Sequence, residues 1–147
     1  LSLPQELELR ILTAAEAHNE AMSLPISTVV ESLVGLLGAT TVAEIAGVKE
    51  TRAVQQWASG EREPQRAHVL RFALQLAMMI STVTTRHMAG AWFHGANPHL
   101  DDQIPIVLLR EQPLEAIQVP LMAAVRSFAS RDEQPVATVD HATEARG

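Results

Sequence analysis

Apolar residues recur along this chain at helical spacing. Leu3, Leu7, Ile11, Ala14 and Ala15 share one side of a stretch in which Glu6, Arg10, Thr13 and Glu20 fall elsewhere. With Ser2 as cap, Pro4 in the first turn and Gln5 three residues after the cap, this predicts an amphipathic helix over 2–22. Such a helix packs on its own domain more readily than it serves as a dimerisation arm. Ser23-Leu24-Pro25 ends it. A second helix is expected from the cap Ser27 to Leu37, with Val30, Leu33, Val34 and Leu37 inward and Gly38 as its stop. A third runs from Thr40-Thr41 to Ala46, closed by Gly47, and a fourth from Thr51 to Ser59, closed by Gly60.

Arg66 to Val83 reads as a long helix, apolar around much of its surface and therefore buried on two sides. A shorter one from Thr85 carries Met88, Trp92 and Phe93, and Gly95-Ala-Asn97-Pro98 breaks it. Asp101 or Asp102 is the expected cap of a short turn over Pro105–Leu109. A last helix spans Pro113–Ala129, with Pro120 expected to kink or split it. No alternating run long enough for a strand occurs. The expectation is an all-α chain divided into an N-terminal helix (1–25), a helix-turn-helix core (26–71), a small helical domain (72–130) and a flexible tail (131–147).

Composition narrows the chemistry. Aromatics are only 3% and tyrosine is absent, which disfavours base-stacking on single strands. Without cysteine there is no disulfide scaffold, thiolate zinc site or thiol nucleophile. His87, His94 and His99 stand at spacings that do not share a helical face, so no metal site is expected. Gly-x-Ser-x-Gly and glycine-rich phosphate motifs are missing, and no enzyme activity or cofactor is predicted. No charged-then-apolar leader opens the chain and no run is long enough to span a bilayer, so a soluble cytoplasmic protein is expected.

The net charge of −6 argues against nucleic acid, but it is uneven. Residues 40–71 carry Lys49, Arg52, Arg62, Arg66 and Arg71 against Glu44, Glu50, Glu61 and Glu63, a net +1, which leaves −7 elsewhere. Within that window, Val42, Ile45, Val48, Val54 and Trp57 form an apolar wedge, Ala43 is small at a helix crossing, and Gly47 permits a left-handed turn. Thr51, Arg52, Gln55 and Gln56 must then face outward. Arginine can pair with guanine, glutamine with adenine, and threonine with phosphate or a thymine methyl. Arg62, Arg66 and Arg71 are candidates for phosphate contacts.

The stretch from Thr41 to Gly60, with its Trp-Ala-Ser-Gly ending, resembles the helix-turn-helix of Xre-type bacterial regulators. Its spacing from Gly47 to Val54 is one residue longer than usual, so either a distorted turn or a late start of the recognition helix is expected. Further on come Ala91-Trp92-Phe93, then Asn97-Pro98-His99-Leu100, then Pro105-Ile106-Val107-Leu108-Leu109. In that order they resemble the C-terminal domain of the Xre/MbcA/ParS antitoxins, and the likeness covers about residues 27–129. The resemblance implies an antitoxin that masks the cleft of a RES-domain, NAD-consuming toxin and represses its own operon by binding operator duplex DNA as a homodimer or larger homo-oligomer. The toxin-facing surface would come from Trp92–Leu109 and the last helix, with Asn97, Arg110, Glu111 and Arg126 as contact candidates. Two other readings stay open: a stand-alone or phage-type repressor using 72–130 for dimerisation, and a helical scaffold that does not touch DNA.

Overall fold

The hydroxyls of Thr13 and Thr85 each cap the helix that follows them. The computed structural model describes residues 13–133, and side chains as far as 130. Among the described residues the chain is all-α, as expected, with eight α-helices and no strand. They are α1 (Ala14–Ser23), α2 (Ile26–Leu37), α3 (Ala39–Ala46), α4 (Thr51–Ser59), α5 (Ala67–Ser81), α6 (Arg86–His94), α7 (Pro105–Glu111) and α8 (Leu114–Glu133), with a 3-10 turn at Pro98–Leu100.

The helix expected over 2–22 does not run through Thr13. That residue is extended, its hydroxyl accepts from the Glu16 N–H, and its own N–H donates to the Glu16 carboxylate, both at 3.0 Å. This reciprocal cap satisfies donors that a continuing helix would have used internally, so α1 starts at Ala14. Ser2, Leu3, Pro4, Gln5, Leu7 and Ile11 lie outside the described residues. The N-cap of α2 is Pro25 rather than Ser27, because the Pro25 carbonyl already takes the first helical bond, from the Val29 N–H.

α5 is the central helix. Leu70, Phe72, Ala73, Leu74, Leu76, Ala77 and Ile80 are buried around its circumference, and it packs against α1, α2, α3 and α8. One apolar cluster runs from Ala17 on α1 to Val125 on α8. α1 lies on α5 through Ala17 and Ala21, and a polar anchor holds each end. The Gln75 amide donates to the Ala14 carbonyl at 3.1 Å, and the Arg71 guanidinium donates to the carbonyls of Ala21 at 2.9 Å and Leu24 at 2.7 Å. Arg71 thus terminates α1, where the unpaired carbonyls and the negative end of the helix dipole suit a cation.

Three further expectations change. Neither Asp101 nor Asp102 caps α7; both are left-handed (φ 57° and 64°), and the Asp102 N–H closes back on the Asn97 carbonyl at 2.8 Å. Ile104 is the N-cap of α7, and Pro105 occupies the first helical position, where its missing N–H leaves no gap. Pro120 does not split the last helix. It lies on the exposed side of α8 with Ala116, so the carbonyl its ring leaves unbonded faces water. The same helix extends to Glu133, beyond the expected end at Ala129; residues 134–147 lie outside the described residues.

Candidate functional site

The turn between α3 and α4 is built around Gly47. Gly47 stands at φ 78°, a left-handed conformation that carries a steric cost for any residue with a β-carbon, and its N–H closes on Glu44. Val48 returns an N–H to the Ala43 carbonyl at 3.0 Å, a pattern that ends α3. α4 then starts at Thr51, and Gly60 closes it at φ 85°.

Val54 and Trp57 of α4 are buried, with Ala53 packed against the same cluster. The opposite face presents Arg52 and Gln55 exposed, and Thr51 and Gln56 half-buried. Four of the seven residues singled out for DNA therefore share one short helix. Arg62 follows on the exposed loop, its Nη1 donating to the Gln56 side-chain oxygen at 3.4 Å. Arg66 is placed differently. Its Nη1 donates to the Ile45 carbonyl at 3.0 Å and its Nη2 to the Leu109 carbonyl at 2.8 Å, so this guanidinium ties the end of α3 to the end of α7. Arg71, occupied at the end of α1, is equally committed to the fold.

The second group does not converge. Asn97 keeps only 8% of its surface exposed, and its side chain accepts from the His99 N–H at 2.9 Å, so it shapes its own turn. Arg110 and Glu111 form an exposed ion pair at 2.9 Å at the end of α7. Arg126 is exposed on α8. Close to it lies a feature that the sequence reading passed over. Ala116, Val119, Pro120 and Ala123 are all exposed, at i, i+3, i+4 and i+7, and Val119 shows 77% of its surface. The spacing was readable, but Pro120 taken as a break hid it.

The histidines have separate duties. His94 Nδ1 lies 2.9 Å from the Gly90 carbonyl and Nε2 lies 3.1 Å from the Glu44 carboxylate, joining α6 to α3. Burial pulls its pKa down, but the Gly90 carbonyl and the hydrogen bond and charge of Glu44 together raise it above the usual histidine value. His99 Nε2 pairs with the Ser127 hydroxyl at 2.8 Å, holding the 3-10 turn to α8. Among the described residues no three His, Asp or Glu side chains gather as a metal site requires, and no helix is long and apolar enough to cross a membrane.

Over 90 residues the chain is 31% identical to a probable mycobacterial cidal antitoxin of Mycobacterium tuberculosis, a match that covers 60% of this chain and 75% of that protein. No family model and no solved structure matches the chain.

Proposed function

The chain belongs to the mycobacterial cidal antitoxin family, and from that premise we propose that it neutralises a cognate toxin by stoichiometric binding and represses its own operon through α4. The toxin is a RES-domain, NAD-consuming enzyme, and the C-terminal half of the antitoxin covers its cleft. Masking of this kind needs surface and no catalytic group.

One observation supports the partner face above the others: the exposed apolar stripe of Ala116, Val119, Pro120 and Ala123 along α8. An amphipathic helix with an unpartnered apolar row is the usual helix-in-groove ligand. Arg126, one turn beyond Ala123, extends the row with a charge, and Arg110 and Glu111 at the end of α7 add polar contacts. The test is co-expression with the product of the adjacent reading frame. Val119→Asp and Ala123→Glu should abolish growth rescue and co-purification while leaving the thermal melt unchanged. Rescue by the double variant would overturn this placement.

The DNA reading rests on α4, whose exposed side carries Arg52 and Gln55 beside Thr51 and Gln56, with Arg62 as the following phosphate contact. With few cations per chain, useful affinity requires a homodimer on two half-sites. Fluorescence anisotropy with the upstream duplex should show steep weakening with salt, and Arg52→Ala with Gln55→Ala should remove sequence preference. A flat salt response would overturn this part alone.

A further inference from the structure

Against the turn of the helix-turn-helix lies a half-open cavity of about 640 Å³. Its wall brings together three arginines from three parts of the chain: Arg62 after α4, Arg66 before α5, and Arg110 near the end of α7. Glu63 is the one carboxylate on that wall. A β-carbon built on Gly47 would stand 3.9 Å from both Arg66 Nη1 and Arg110 Cγ, so both side chains lie over the turn.

None of the three has its charge firmly matched. Arg66 is partly buried, and its partners are two carbonyls; the ion pairs among the described residues are His94–Glu44 and Arg110–Glu111. A guanidinium has five N–H donors, and those two bonds leave Arg66 with three while fixing its plane. Arg110 is paired only with its exposed sequence neighbour, a contact that contributes little. Arg62 has a long bond to a neutral amide. Like charges collected on one concave wall repel, and an anion seated among them relieves that repulsion. Gln65 adds a further polar group, and Val48, Ala53 and Trp57 form the apolar part of the wall. The volume falls in the range of small-molecule sites, roughly 300–1,000 Å³.

We propose that this cavity binds a small phosphate ester of mononucleotide size, its phosphates on Arg62, Arg66 and Arg110 and its ring system against Val48 and Trp57. The proposal shares Arg62 with the operator reading and Arg110 with the toxin reading, and its test uses neither DNA nor toxin. A phosphodiester of duplex DNA offers the same charge but cannot bring a ring into a concave pocket, so the ring's contribution separates the two sources.

Isothermal titration of the purified full chain in phosphate-free, low-salt buffer tests it, with ADP, pyrophosphate and adenosine as probes. ADP should bind, pyrophosphate more weakly, and adenosine not measurably. Arg62→Gln alone should weaken ADP, and Arg62→Gln with Arg110→Gln should weaken it by about tenfold or more, as expected for charge-assisted bonds. Both side chains lie outside the apolar core, so the melt should be preserved, and Arg86→Gln, at an exposed arginine away from the cavity, should bind as the parent does. Absence of ADP binding, equal affinity for ADP and pyrophosphate, binding of adenosine as tight as ADP, or full affinity in the double variant would each overturn the proposal.

Discussion

The Arg66 guanidinium donates to the Leu109 carbonyl at 2.8 Å across 43 positions of sequence, and with its other terminal nitrogen to Ile45. It thereby joins the ends of α3 and α7, two helices with no covalent neighbour in common. A hydrogen bond to a charged group contributes about 1.5–3 kcal/mol. Arg66→Ala should therefore cost roughly 2–3 kcal/mol in urea unfolding, allowing for partial exposure, and Arg66→Lys about half of that, since an ammonium lacks the fork that reaches both carbonyls. Arg62→Ala, on the exposed loop, should cost under about 0.5 kcal/mol. Equal effects at the two arginines would contradict the tie.

Arg71 and Gln75 anchor α1 from the same face of α5. Arg71→Ala removes two close carbonyl contacts from the C-terminus of α1, where the core contacts are the small side chains Ala17 and Ala21. The expected result is local: faster amide exchange over Ala14–Ser23, with protection in α5 largely kept. Global stability should fall by about 1–2 kcal/mol. Uniform loss of protection throughout the chain would mean that α1 is not a separate opening unit.

The short-range signals were legible in the sequence. Gly38, Gly47 and Gly60 end helices where they stand, Thr85 caps α6, and Val54 with Trp57 gives α4 its inward face, because each depends on residues within one or two turns. Long-range destinations were not. Arg66 and Arg71 register in sequence as two positive charges in a basic window, which suggested phosphate contacts; their partners are carbonyls 21 to 50 residues away. A count of charge carries no information about which helix terminus will lie beneath it. Thr13-Ala-Ala-Glu16 is a capping box that was present in the sequence, but the apolar period running through it favoured a longer helix. Pro120 was read by its intrinsic preference, whereas its place on the wet side of α8 leaves the helix whole.

Glycines give a test of opposite signs. Gly47 is left-handed, and a β-carbon there would meet nothing closer than 3.9 Å, so the strain of Gly47→Ala comes from the backbone alone and should cost about 1–2 kcal/mol. Gly35 and Gly90 lie inside α2 and α6, with open space where a β-carbon would go. Replacing either with alanine should stabilise by about 0.5–1 kcal/mol, since alanine loses less conformational freedom in a helix. Chemical denaturation of the three single variants decides this; destabilisation by Gly35→Ala would place that segment outside regular helix.

His94 and Glu44 give the fold a pH dependence whose sign can be worked out. The Gly90 carbonyl can only accept, and so can the Glu44 carboxylate, yet they face the two nitrogens of one ring. A neutral imidazole carries a single N–H, so both bonds form only on the imidazolium. The folded pKa is accordingly raised above 6.5. The contribution of this pair is fully present below pH 6.5 and is lost as pH rises through the higher folded value. With 44% of the His94 side chain and 42% of that of Glu44 exposed, the effect is that of a surface pair, under about 1 kcal/mol. The melting temperature of the parent should therefore decline slightly between pH 6 and 8 relative to Glu44→Gln, which keeps the shape but loses the charge. NMR titration of the His94 ring should show its pKa dropping in that variant. An unchanged His94 pKa would mean that the α3–α6 contact does not depend on charge.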